Sequence, residues 1–127
     1  MERFLLDSTV IIDYLRGRPE TVNKVRELNL QGAALGCCPI NIIEVFAGMR
    51  DKEKADTVAF LDSLEFYDLD KEAAKIASDS LRTFRSKGIT LTVADVAIAG
   101  IAIANDLTLL TDNSKHYPQR EIKTEPA

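Results

Sequence analysis

Asp7, Glu44, Asp95 and Asp112 stand where an alternating α/β chain places its chemistry. Asp7 closes the apolar run Phe4-Leu5-Leu6, and Asp112 closes Thr108-Leu109-Leu110-Thr111. Ligands of open parallel sheets gather outside the carboxyl ends of the strands, so the two acids share one edge if their strands are neighbours. Glu44 and Asp95 are expected in the first turns of helices that begin beside that edge. Asp95 directly precedes Val96–Ala104, the longest uncharged apolar stretch, where an ionised carboxylate is costly unless paired or bound to a cation. Three or four such acids with no His, Lys or Arg among them repel one another and raise their pKa values. A hard cation relieves that strain. Mg²⁺ or Mn²⁺ prefers oxygen ligands and keeps waters, so it can activate a water and clamp a phosphoryl oxygen, which is the chemistry of metal-dependent phosphodiester hydrolysis. Each acid also has an ordinary use as a turn residue, helix cap or partner of the helix dipole.

Composition narrows the classes. The chain has 127 residues, 46% hydrophobic and 28% charged, with 6 Gly and 4 Pro. That suits one domain, taken as 1–127, with its own core, and argues against disordered or disulfide-scaffold classes. A spanning helix needs ~20 apolar residues, far more than Val96–Ala104 offers, and Asp7 interrupts the apolar run that a signal peptide would need. The expected location is cytoplasmic. Cys37 and Cys38 are sequence neighbours whose side chains point to opposite faces of a strand, so they read as reduced core thiols. One His excludes a Cys/His zinc set. The net charge of −4 offers no general polyanion surface, so a nucleic acid would have to meet local basic patches or a metal-neutralised site. Arg16, Arg18, Lys115, His116 and Arg120 are candidates to line such a path.

The elements that position these residues follow from periodicity. Arg3–Leu6 reads as a strand, followed by an acidic turn and a helix over Val10–Leu15. A second helix starts near Pro19 and stops before Gly32. Ala33–Cys38 is a strand closed by Pro39, and Asn41 opens a helix over Ile42–Met49. Lys52–Leu64 is a helix with Ala55, Ala59 and Leu61–Leu64 inward, and Phe66–Leu69 a brief strand. Lys71–Lys87 is a helix capped by Asp70, with Ala74, Ala77, Leu81 and Phe84 on its apolar face. Ala94–Asn105 is a helix whose Ala and Gly100 suit close packing against a sheet. Leu107–Thr111 is the last strand, and a polar tail begins at Glu121. Strands alternating with helices predict a mostly parallel sheet covered on both faces.

Four blocks carry a family resemblance. Leu5-Leu6-Asp7-Ser8-Thr9-Val10-Ile11-Ile12-Asp13-Tyr14-Leu15-Arg16-Gly17 resembles the opening of a PIN-domain ribonuclease of the VapC toxin type. Pro39-Ile40-Asn41-Ile42-Ile43-Glu44-Val45-Phe46-Ala47-Gly48 resembles the second acidic motif of that family. Thr92–Ala99 and Leu109–Tyr117 resemble the third and fourth, in family order. The resemblance implies a three-layer α/β/α sandwich and a Mg²⁺- or Mn²⁺-dependent endoribonuclease toxin, blocked by a cognate antitoxin and commonly dimeric. By motif position Asp7 and Asp95 are the main metal ligands, with Glu44 completing the cage directly or through water. The fourth position is Asn113 by alignment and Asp112 by charge. The Ser8 and Thr9 hydroxyls orient Asp7 or a metal-bound water, or simply cap the helix.

Two other readings remain. A phosphoacceptor receiver domain shares the length and acidic pocket but needs an acid pair after the first strand, where Asp7 stands alone. A non-catalytic RNA- or partner-binding module with the same fold differs only in its activity.

Overall fold

The computed structural model describes Met1–Ala127. Five strands, β1 (Arg3–Leu6), β2 (Ala34–Cys37), β3 (Glu65–Phe66), β4 (Thr108–Leu110) and β5 (Lys123–Glu125), form one sheet in the order β3-β2-β1-β4-β5. Every pair is parallel. Parallel strands need crossovers, and six helices serve that geometry: α1 (Ser8–Leu15), α2 (Pro19–Leu30), α3 (Pro39–Gly48), α4 (Lys54–Ser63), α5 (Lys71–Ser86) and α6 (Val93–Ala104).

Alternation along β1 divides the core in two. Phe4 and Leu6 face one way, against Val10 and Ile11 of α1, Val25 and Leu28 of α2, Val45 of α3 and Leu61 of α4. Leu5 faces the other way, with Leu109 of β4, against Ala73 of α5 and Ile98, Ile101 and Ala102 of α6. The result is a three-layer α/β/α sandwich. Cys37 belongs to the first cluster and Cys38 to the second, so the two free thiols do point to opposite faces.

Several boundaries differ from expectation. α3 begins at Pro39, not Ile42, because Pro fits the first turn, where no amide partner is required. Glu44 consequently lies in the second turn. The stretch expected as a helix from Lys52 opens with a 3₁₀ turn, Asp51–Glu53, and continues as α4 with Thr57 and Leu61 buried; Ala55 and Ala59 are exposed. β3 is two residues long, at Glu65–Phe66.

α5 buries Ala73, Ala77 and Ser80 and leaves Ala74 exposed, so its inward stripe is rotated from the expected one. The cause is α6. A Cβ at Gly100 would lie 2.4 Å from the Ala73 carbonyl oxygen. The small residues of α6 thus admit a close helix neighbour as well as the sheet, and α5 turns its smallest side chains towards them. The polar tail also holds a strand, since β5 pairs Lys123, Thr124 and Glu125 with Thr108, Leu109 and Leu110. Backbone bonding sets its place, and charged residues suit an exposed edge. Lys24 Nζ, 2.7 Å from Glu125, ties it to α2.

Candidate functional site

The register of β1 on β4 decides which residues meet at the strand ends. Leu6 pairs with Leu110, and the Asp7 amide donates to the Leu110 carbonyl at 3.0 Å. Asp7 therefore lies beside Thr111, one residue before Asp112. The Thr111 hydroxyl donates to Asp7 Oδ2 at 2.7 Å. The Tyr117 hydroxyl stands 3.2 Å from Asp7 Oδ1 and 3.4 Å from Asp95 Oδ1, between the two carboxylates.

Neither acid is used as a cap. Asp7 occupies the N-cap position of α1, yet its side chain makes no capping bond to the first turn. At α6 the cap is Thr92, whose hydroxyl accepts from the Asp95 amide at 3.1 Å and leaves the carboxylate of Asp95 free to face Asp7. Asp7 is 7% exposed and the Asp95 side chain 25%. Burial raises the pKa of Asp7, the bonds from the Thr111 hydroxyl, the Ser8 amide and the Tyr117 hydroxyl oppose it, and repulsion from Asp95 adds a smaller upward push. Burial and the two neighbouring carboxylates likewise push the Tyr117 hydroxyl far up, so it stays a donor.

Glu44 is held separately. Ser8 donates to Glu44 Oε1 at 2.7 Å and accepts from Asn41 Nδ2 at 2.9 Å, while Asn41 Oδ1 accepts from the Cys38 amide at 2.9 Å. This chain of bonds fastens α3 to the residue after Asp7. The Ser8 hydroxyl thus serves Glu44, while the Ser8 amide supports Asp7, and Thr9 is exposed on α1. Asp112 is exposed and turned towards the C-terminus, where its Oδ1 accepts from the Ala127 amide at 3.0 Å. Asn113 is half-buried, and its amide donates to the Thr111 hydroxyl at 3.0 Å.

No three Asp, Glu, His or Cys side chains are gathered closely enough to hold an ion by themselves. What converges is a pair, Asp7 and Asp95, with oxygen-only donors and one hydroxyl between them. That donor set suits a hard divalent cation, which is usually bound by one or two carboxylates and otherwise by water.

The basic residues divide. Arg18 Nη1 lies 2.9 Å from Asp13 and Arg18 Nε 3.6 Å from Glu20, and Arg16 lies 4.0 Å from Glu53. His116 Nδ1 stands 3.9 Å from Asp95 Oδ2, at the site itself, and Lys115 is exposed next to it. Arg120 lies further off, in a cleft of about 300 Å³ between α5, Ile103 of α6 and the segment before β5.

Thr111 and Tyr117, which bond Asp7, and Asn41, which bonds Ser8, are the contacts that sequence reasoning passed over. Thr111 is findable once β1 and β4 are aligned as neighbours. Tyr117 carries no local signal, because a buried Tyr after a turn reads as core.

The PIN domain family matches residues 4–121. Among curated proteins, the chain is 32% identical over 114 residues to "Ribonuclease VapC19" of Mycobacterium tuberculosis, covering 90% of this chain and 91% of that protein. It is 30% identical over 120 residues to "Ribonuclease VapC10" of the same organism, covering 92% and 87%. Among solved structures, VapBC2 from Rickettsia felis, bound to a DNA fragment from its promoter, superposes with a TM-score of 0.86 at 22% identity, over 98% of both chains. DNA-bound VapBC from Salmonella typhimurium gives 0.85 at 24% identity, over 99% of this chain and 98% of that one. The family match encloses Asp7, Glu44, Asp95, Thr111 and Tyr117, and the parallel β3-β2-β1-β4-β5 sheet superposes over nearly its full length, so the chain belongs to the PIN-domain family.

Proposed function

We propose that the chain is a metal-dependent endoribonuclease toxin that hydrolyses RNA phosphodiester bonds and is inhibited by a cognate antitoxin protein. The observation that carries this reading is the Asp7–Tyr117–Asp95 cluster at the strand ends of a chain related along nine-tenths of its length to a ribonuclease. Two further solved neighbours are named as a toxin–antitoxin complex from Klebsiella pneumoniae and as a member of the VapBC family of toxin–antitoxin systems from Mycobacterium tuberculosis, which supports an antitoxin as partner. Residues 1–127 act as one nuclease domain. No helix is long and apolar enough to cross a membrane.

Asp7 and Asp95 would hold Mg²⁺ or Mn²⁺, with Glu44 reaching it directly or through water. Such an ion, when bound, offsets the two carboxylates, lowers the pKa of a water and clamps a phosphoryl oxygen. The rest is done by the chain. Thr111 and Tyr117 aim the Asp7 carboxylate by occupying one oxygen each. Ser8 fixes Glu44 to the β1–α1 junction and so sets its distance from Asp7. Asn113 buttresses Thr111 through its amide. Lys115 and His116 lie where a phosphate backbone would pass, and such contacts position a nucleic acid without specifying its sequence.

The test is cleavage of labelled cellular RNA by the purified, antitoxin-free chain in Mg²⁺ or Mn²⁺, against EDTA and against Asp7→Asn and Asp95→Asn variants shown to be folded. Cutting that disappears in all three controls supports the enzyme and its two ligands. No cutting of any RNA class overturns it in favour of a binding module with the same fold.

A further inference from the structure

We propose that Tyr117 is a positioning residue for the cation site, its hydroxyl joining Asp7 and Asp95 so that both carboxylates stand ready before a cation arrives. The inference rests on the metal site read above and deepens it.

The two acids come from different elements, Asp7 from the β1–α1 junction and Asp95 from the first turn of α6. They are supported unequally. Asp7 is gripped at both oxygens, Oδ2 by Thr111 and Oδ1 by Tyr117. The carboxylate of Asp95 has one hydrogen-bond partner, the same Tyr117 hydroxyl, with His116 no nearer than 3.9 Å. At 25% exposure it has room to rotate towards water, and the like charge of Asp7 pushes it that way. The Tyr117 oxygen cannot follow such a movement. The residue is 4% exposed and packed in the cluster of Leu5, Ile98, Ala99 and Leu109, so the hydroxyl is a fixed point on a rigid core. One phenol proton serves one carboxylate at a time, so the contact holds the pair by exchange between two oxygens at similar distances. A site assembled in advance binds more tightly than one whose ligands must be ordered by the ion.

The experiment is titration of the metal-free full chain with Mn²⁺ by calorimetry, comparing the wild type with Tyr117→Phe, which keeps the ring and removes one oxygen. Melting followed by circular dichroism checks the fold of each variant. The expected result is a loss of Mn²⁺ affinity of roughly fivefold to tenfold. The Mn²⁺ concentration needed for half-maximal RNA cleavage should rise by the same factor. In an Asp95→Ala background, which removes the acceptor as well as the charge, the same change should cost less than about twofold, since one of the two groups that the hydroxyl joins is gone. Replacing Tyr117 by p-aminophenylalanine, which keeps a donor in place, should restore affinity and gives a second, independent reading if the Phe variant melts early. Unchanged affinity in Tyr117→Phe overturns the proposal, and tighter binding does so as well, by making the hydroxyl a competitor for the carboxylates. Failure of the wild type to bind Mn²⁺ at all overturns the metal-site reading itself, a result distinct from the other two.

Discussion

The Thr111 hydroxyl donates to Asp7 Oδ2 at 2.7 Å across the β1–β4 boundary, although the two residues are 104 positions apart in the chain. This bond lowers the pKa of a carboxylate that burial otherwise raises. Thr111→Val keeps the shape, removes the donor and also takes the acceptor from the Asn113 amide. We expect a loss of about 2 kcal/mol at neutral pH, seen as a lower urea midpoint. The bond favours the ionised acid, so its contribution is present above the ordinary carboxylate range and disappears as Asp7 protonates. A loss that stayed the same at acid pH would show that the bond is not to an ionised Asp7.

Asp7→Asn should abolish cleavage and yet stabilise the metal-free protein. Burial, the largest influence on Asp7, raises its pKa above the unfolded value, so the folded state holds the proton more tightly than the unfolded chain. That stabilising contribution is complete below the unfolded carboxylate value and is lost as pH rises through the folded one. At pH 7 the buried charge is a burden, and the amide lifts it; we expect Tm to rise by a few degrees, about 1 kcal/mol. The gain should vanish near pH 4. Saturating Mn²⁺ should narrow the gap by stabilising only the wild type. Equal melting temperatures at pH 7 without metal would count against this account.

Gly100→Ala should destabilise the fold despite the better helix propensity of Ala. A Cβ there meets the Ala73 carbonyl oxygen at 2.4 Å, a backbone atom that moves only if α5 shifts off α6. We expect a loss of about 1–3 kcal/mol, with Ala73 and Ala77 losing amide-exchange protection first. Gly36→Ala is the contrasting case. Its Cβ would meet the ring of Tyr67, also at 2.4 Å, but a half-buried side chain can rotate away, and the nearest backbone atom, the Glu65 carbonyl oxygen, is further off at 3.2 Å. Equal losses at the two positions would disprove the backbone argument.

Cys37 and Cys38 should resist alkylation in the folded protein. Burial pushes the Cys37 thiol up to about 11 and raises that of Cys38, so neither presents thiolate near pH 8. Iodoacetamide should label neither at pH 8 and both in guanidinium, with mass spectrometry as the readout. Rapid native labelling of either would mean that the β2–α3 corner opens.

Apart from the strand in the polar tail, which it did not show, the sequence by itself determined most of the element types and the parallel sandwich, and it put the candidate acids forward. Those follow from local causes: apolar period, Pro and Gly at helix ends, and carboxylates placed after β-prone runs or before an apolar helix. Tertiary structure decided how the acids are supported and which of them meet. Strand register is a relation between distant segments, and it puts Thr111, not Asp112, beside Asp7. Asp112, the more strongly charged candidate for the fourth position, turns to the Ala127 amide because the last residues return along β4. The face of α5 depends on how closely Gly100 lets it approach, which no periodicity within α5 encodes. Tyr117 stands in the sequence only as the end of the fourth block; folding shows that its ring fills the α6 side of the sheet while its oxygen ends between two carboxylates from opposite parts of the chain.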